Sequence, residues 1–197
     1  MPPTFESILQ EPGILVLPGA HDALSARIAV RAGAHAVYMT GFGVAGAGFG
    51  VPDIGIVNAE QMIERVRTIA NTIAPVPLIA DGDNGHGGPL NVANLVRAYE
   101  QAGAQCIQLE DQVSPKRCGH MEGKEVIPLP DAAAKVRAAV DARSSRSFKI
   151  MARTDARATH DLDEALRRGE AFLKAGADVI FIEALRSDDE LVKIGRT

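Results

Sequence analysis

The sequence predicts an α/β fold of the serial kind, a (β/α)8 TIM-type barrel of which it supplies about six β/α units. Three observations carry that expectation. First, one helix-to-strand joint is written three times: Arg31-Ala32-Gly33-Ala34-His35-Ala36-Val37, Gln101-Ala102-Gly103-Ala104-Gln105-Cys106-Ile107 and Lys174-Ala175-Gly176-Ala177-Asp178-Val179-Ile180. The glycine of each copy stands where a helix end needs a left-handed residue. Second, every copy leads into a short apolar run of the kind that forms a buried parallel strand. Third, the apolar runs close on polar residues, which in a barrel would ring the mouth where sites are built. A doubly wound sheet would carry a glycine-rich phosphate loop after its first strand, and Leu17-Pro18-Gly19-Ala20-His21-Asp22 is no such fingerprint.

Reading outward from the joints places strands at residues 14–17, 36–40, 76–81, 106–110, 148–153 and 179–183. Between them, Asn58-Ala59-Glu60-Gln61 has the form of a capping box, and Asp161-Leu162-Asp163-Glu164 opens another helix. Residues 91–101, 131–142 and 164–174 carry apolar side chains at helical spacing. The longest irregular stretches, 41–56 and 111–130, both follow strands. No linker or low-complexity tract divides the chain, so one domain over residues 1–197 is expected. A barrel of this kind typically runs to about 250 residues, so the expectation is a barrel truncated at its C-terminus.

Composition narrows the function classes. Hydrophobic residues make up 46% and charged residues 23%, ordinary globular values. A net charge of −4 and the absence of any Trp leave neither a basic stripe nor an aromatic platform for nucleic acid. No apolar run approaches a membrane span. Two cysteines are too few for a disulfide framework, and the N-terminus lacks the basic-then-apolar pattern of a secretory signal, so a reducing cytoplasm is expected.

The chemistry sits at the strand ends, which read Thr40, Asp81, Glu110, Arg153 and Glu183. Asp81-Gly82-Asp83-Asn84-Gly85-His86-Gly87-Gly88 is the densest cluster. Asp81 and Asp83, with Glu110, offer hard oxygen ligands suited to Mg²⁺, which often keeps several waters. His86 could face either the site or solvent. Thr40-Gly41-Phe42-Gly43 is a second glycine-rich strand exit whose N–H groups could hold a carboxylate or an oxyanion. Arg153 can grip a carboxylate bidentately or close an ion pair with a neighbouring acid. In Lys116-Arg117-Cys118-Gly119-His120, a thiol lies between fixed cations and a histidine, surroundings that favour a thiolate. Cys106, inside a strand, reads as core.

With these residues in hand, the chain resembles the isocitrate lyase/phosphoenolpyruvate mutase superfamily essentially end to end. The resemblance rests on Asp81-Gly82-Asp83, Leu109-Glu110-Asp111-Gln112, Lys116-Arg117-Cys118-Gly119-His120 and Met151-Ala152-Arg153-Thr154-Asp155. The loop at 116–123 is similar to the methylisocitrate lyase, 2,3-dimethylmalate lyase and oxaloacetate hydrolase group. The stretch from Met121 to Pro128 leans to the latter two.

The resemblance implies a (β/α)8 barrel, a Mg²⁺ cofactor (or Mn²⁺) and a homo-oligomer, a dimer of dimers. It implies that Asp81, Asp83 and Glu110 hold the hydrated metal, with Asp53 in the outer shell. It places Thr40, Gly41, Phe42 and Arg153 on the α-oxo acid part of the substrate and Gly119 and His120 on the carboxylate of the leaving half. Glu183 orients the substrate, and Cys118 is the proton donor on a gating loop. Cys118 also selects the branch, since the phosphorylmutase members typically lack it.

The reaction so implied is carbon–carbon cleavage of a 2-hydroxy-3-carboxy acid, a di- or tricarboxylic substrate, with no nucleic-acid or membrane partner. An oxaloacetate hydrolase releasing oxalate and acetate is the alternative. A phosphonate enzyme (phosphonopyruvate hydrolase or phosphorylmutase) and an inactive metal-binding fragment come after it. Gly82, His86 and Phe42 depart from the family's common residues and bear on substrate choice.

Overall fold

The computed structural model describes residues 4–196, so the ends of the expected 1–197 domain, residues 1–3 and 197, lie outside the described residues. The elements run in order as α1 (Phe5–Leu9), β1 (Gly19–Ala20), α2 (Ala23–Arg31), β2 (Val37–Met39), α3 (Gly41–Gly43), a π-helical turn (Val44–Phe49), α4 (Ala59–Ile73), β3 (Leu78–Asp81), α5 (Pro89–Ala102), β4 (Cys106–Glu110), α6 (Leu129–Ala142), β5 (Lys149–Thr154), α7 (Ala156–Thr159), α8 (Leu162–Ala175), β6 (Val179–Ile182) and α9 (Asp188–Gly195). All six strands pair in parallel with their chain neighbours, in the order β1-β2-β3-β4-β5-β6. This is the sheet of a barrel-type α/β fold, and it bears out the serial reading. No helix among the described residues is long and apolar enough to cross a membrane.

Local rules account for most boundaries. Gly33, Gly103 and Gly176 have φ of 99°, 99° and 103°, the left-handed conformation that ends each preceding helix before its strand. Asn58 and Gln61 form the complete reciprocal capping box at the start of α4. Asp161 caps α8 in one direction only. The carboxylate of Glu164, which would return the bond, is taken by Arg167 and Arg168.

Two expectations are corrected. The first strand is Gly19–Ala20 rather than residues 14–17. Leu15 and Leu17 pack inward beside Phe5 and Ile8, whereas Ile14 is 93% and Val16 74% exposed. Their alternation is that of an extended segment, but ladder pairing to β2 begins only at Gly19. The stretch 41–56 is not wholly irregular, because it opens with α3 and the π-helical turn.

The period of two along each strand separates two layers. Leu78 and Ala80 of β3, Ile107 and Leu109 of β4 and Ile150 of β5 face the surrounding helices and join the main core with Val66, Ile69, Val96 and Tyr99. Their neighbours Ile79, Cys106 and Met151 face the other way, where Phe5 and Ile8 of α1 pack against them. Cys106 is core, as expected, and burial pushes its thiol up. The same alternation continues toward the C-terminal ends, so Asp81, Gln108, Glu110 and Arg153 follow the inner face.

Candidate active site

The strand ends converge as the inner-face pattern requires. Asp81 is held by backbone alone: its Oδ2 accepts the Gly41 N–H at 3.1 Å, and its Oδ1 accepts the Asp83 N–H at 3.0 Å. A Cβ on Gly41 would lie 2.7 Å from that Oδ2, so only glycine allows this approach. Thr40 caps α3 by accepting the Gly43 N–H. Phe42 is 62% exposed, outside the buried cluster.

Asp83, at φ 48°, is buried, and its backbone carbonyl accepts the Glu110 N–H at 2.9 Å, which continues the sheet pairing past β3. Burial, reinforced by the Asp81 charge, pushes the Asp83 carboxyl up to about 6. Burial likewise holds Glu110 well above the usual carboxylate range.

The sequence sets Lys116 among the cations that favour a Cys118 thiolate, and the structure places it elsewhere. Its ammonium contacts the Asp53 carboxylate and lies 2.7 Å from Asp83 Oδ1, without meeting the angular geometry of a hydrogen bond to the latter. Burial opposes its charge, but Asp83, Asp81 and Glu110 more than offset that and raise its pKa. This corrects the expected surroundings of the thiol, because Lys116 is turned into the acids. Arg117 donates to the Glu122 carbonyl, also away from the thiol. What faces Cys118 Sγ is His120 Nδ1 at 3.9 Å.

Arg153 sits beneath the Cys118 loop. Its Nε and Nη2 grip Asp155 bidentately, both at 3.0 Å, and its Nη1 lies 3.2 Å from Glu183 Oε2. Nε is also 3.5 Å from Glu110 Oε2, and the guanidinium carbon stands 5.8 Å from the Phe181 ring centroid. Of the two expected roles of Arg153, the structure shows the ion pair: the side chain faces the cluster with its fork on Asp155 and its Nη1 beside Glu183. A Cβ on Gly119 would fall 2.8 Å from Arg153 Nη2 and 3.3 Å from the Glu183 carboxyl carbon. The loop backbone thus rests directly on the Arg153–Glu183 pair.

A buried polar network underlies this floor, and the sequence offered no partner assignments for it. Asp111 accepts Thr154 Oγ1–H at 2.7 Å, the Asp155 N–H at 3.0 Å and Arg168 Nη1–H at 3.0 Å. Gln112 brackets Arg117, accepting its N–H and donating to its carbonyl, both at 2.9 Å. The sequence signal for them is adjacency alone: Asp111 and Gln112 directly follow Glu110, and Asp155 stands two residues past Arg153.

The donor chemistry fits a hard divalent cation. Asp53, Asp81, Asp83 and Glu110 gather four carboxylates, and Glu110 Oε1 and Gln108 Oε1 are buried without a hydrogen-bond partner. Among the described residues no three His, Cys, Asp or Glu side chains converge tightly enough to grip an ion directly.

A parallel barrel-type sheet with acids, an arginine and a loop cysteine at its strand C-termini defines an enzyme-like α/β class whose site lies at the barrel mouth. Residues 5–196 match the family Phosphoenolpyruvate phosphomutase, and the chain belongs to that family. It is 48% identical over 193 residues to 2,3-dimethylmalate lyase of Eubacterium barkeri, covering 98% of this chain and 66% of that protein. A crystal structure of a 2,3-dimethylmalate lyase superposes with a TM-score of 0.93 at 37% identity, covering 97% of this chain and 64% of that one. An oxaloacetate acetylhydrolase bound to 3,3-difluorooxalacetate gives 0.89 at 38% identity, with 91% and 62% covered. A phosphonopyruvate hydrolase in complex with oxalate and Mg²⁺ gives 0.82 at 36% identity, with 92% and 62% covered. The chain thus spans less than two thirds of the length of these relatives.

Proposed function

We propose that this chain carries the site of a Mg²⁺-dependent carbon–carbon lyase that cleaves a 2-hydroxy-3-carboxy acid, methylisocitrate- or alkylmalate-like, into an α-oxo acid and a carboxylate. The observation that carries the reading is Cys118 on a loop pressed onto Arg153 and Glu183, beside the carboxylate cluster. Asp81, Asp83 and Glu110, with Asp53 behind them, are the residues to hold the ion and its waters. Bound there, Mg²⁺ supplies positive charge to the substrate oxygens on which negative charge develops.

The chain's own groups do the rest. Arg153 supplies a guanidinium to the carboxylate of the α-oxo acid half, and the Gly41 turn offers backbone beside it. Gly119 and His120 face the other half. A base takes the hydroxyl proton, and the C2–C3 bond breaks with its electron pair moving to C3. The Cys118 S–H then donates its proton to that carbon. In this reading the loop closed over the substrate makes the thiol, rather than solvent, the proton source.

The test is turnover of 2,3-dimethylmalate and 2-methylisocitrate by the purified protein, with and without EDTA, and by Cys118→Ser. Activity that survives both chelation and the substitution refutes the reading. Similarity to the oxaloacetate acetylhydrolase favours a second reading on the same residues, with water delivered to oxaloacetate; oxalate release from that acid selects it. The same proposal includes one barrel domain, a homo-oligomeric assembly read by light scattering, and a reducing compartment, in keeping with two free cysteines.

A further inference from the structure

We propose that Lys124 is a positioning residue that latches the Cys118 loop shut over Arg153. This rests on the reading of Cys118 as the proton donor. The base of the loop is fixed, because Gln112 and Val126 form an antiparallel bridge and the Val113 N–H bonds the Glu125 carbonyl at 2.9 Å. Lys124 belongs to that base. Its side chain, 3% exposed, reaches across to the loop's tip, where its ammonium donates to the Gly119 carbonyl at 2.7 Å.

The same ammonium is 2.7 Å from Asp155 Oδ1, and Asp155 is the carboxylate that grips Arg153. One buried cation therefore ties together the backbone next to the thiol and the arginine under it. Charge neutralisation alone would require only Asp155. The bond to Gly119 adds an acceptor that exists only while the loop is down. Lifting the loop would strip a buried ammonium of one of its acceptors, which favours the closed position. The missing Cβ of Gly119 serves the same contact, since any side chain there would collide with Arg153. Gln112 holds the loop at Arg117, before the cysteine, and Lys124 holds it at Gly119, after the cysteine. Cys118 is thus pinned from both sides.

The test is alkylation of Cys118 by iodoacetamide, followed by peptide mass spectrometry. Cys106, fully buried in β4, reports global unfolding in the same sample. Lys124→Met is expected to alkylate at Cys118 about tenfold faster than the unaltered protein, the effect of one charge-assisted hydrogen bond on loop opening, with Cys106 still protected. An unchanged Cys118 rate with Cys106 protected overturns the proposal.

If Cys106 also reacts in that variant, Lys124→Met/Asp155→Asn decides. It removes both charges of the pair, keeps an amide oxygen at position 155 to accept from Arg153, and still lacks the bond to Gly119. Faster Cys118 labelling with Cys106 protected supports the latch. An unchanged rate, or loss of Cys106 protection here too, refutes it in favour of a purely structural ion pair. These rates need no turnover. A protein that cleaves none of the acids named above would therefore refute the proposed function and leave this result standing.

Discussion

Arg168→Met probes the network that supports the site floor from α8. Arg168 is 4% exposed; its Nη1 donates to Asp111 Oδ2 and to the Ile127 carbonyl, both at 3.0 Å, and its Nε donates to Glu164 at 2.8 Å. Methionine retains most of the apolar stem, so little cavity opens. What is lost is the cationic partner of a buried carboxylate. Breaking a buried pair from one side costs about 3–5 kcal/mol. Asp111 keeps two hydrogen bonds, from Thr154 and the Asp155 N–H, which places the expected loss near the lower figure.

At this chain length 1 kcal/mol moves the melting temperature by about 2–4 °C, so about 3 kcal/mol lowers it by roughly 6–12 °C. Urea unfolding followed by circular dichroism measures the same loss as a lower midpoint at unchanged slope. Arg168→Met/Asp111→Asn should regain about 1–2 kcal/mol, because asparagine offers an acceptor without an unpaired buried charge. A single variant within about 1 kcal/mol of the unaltered protein, or a double variant no better than the single, refutes the reasoning, since either means that the Arg168–Asp111 charge pair is not what holds α8 to the end of β4.

Two other outcomes follow from the same geometry. Gly41→Ala puts a Cβ 2.7 Å from Asp81 Oδ2, so the carboxylate or the α3 turn must move; titration calorimetry with Mn²⁺ should show affinity lower by about tenfold or more, roughly 1.4 kcal/mol, and an unaltered affinity counts against Asp81 as part of the ion site. Asp155 bears on acid stability. Burial would raise its carboxyl, but Arg153 and Lys124 more than offset this and hold it below its ordinary value of 3.8. In that window the unfolded chain binds more protons than the folded one, so stability rises with pH. The contribution is complete above pH 3.8 and lost as pH falls through the lower folded value; unfolding free energy measured from pH 5 down to 3 should fall less steeply in Asp155→Asn, and parallel slopes contradict this account.

Much of the fold was legible in short-range patterns. A glycine at a helix end, a capping residue such as Asn58 and an apolar run bounded by polar residues each act through a few neighbours, so Gly103 and the strand Cys106–Glu110 could be read locally. Residues 14–17 had the same apolar pattern and misled, because alternation reports which side chains are buried and not whether a neighbouring strand supplies hydrogen bonds. The site was legible as a roster. Asp81, Glu110, Arg153 and Cys118 all stand at strand ends or in the loop beyond them. The partners of Lys116 and Arg168 were not legible, since Lys116 meets Asp53 across 63 positions and Arg168 meets Asp111 across 57.

By itself, the sequence determined the order of strands and helices, the inner face that carries Thr40, Asp81, Glu110, Arg153 and Glu183, and the residue types available for chemistry there, because periodicity and backbone preference are local properties. Only the tertiary structure decided how those charges are shared. It turned Lys116 away from the thiol and into the acids, gave the fork of Arg153 to Asp155, and brought Lys124 from the loop's base to the carbonyl beside Cys118. Those choices depend on distances of a few ångströms that packing sets, whether the partners lie close in the chain, as Arg153 and Asp155 do, or far apart, as Lys116 and Asp83 do. A buried charge takes whichever partner the packing brings within reach.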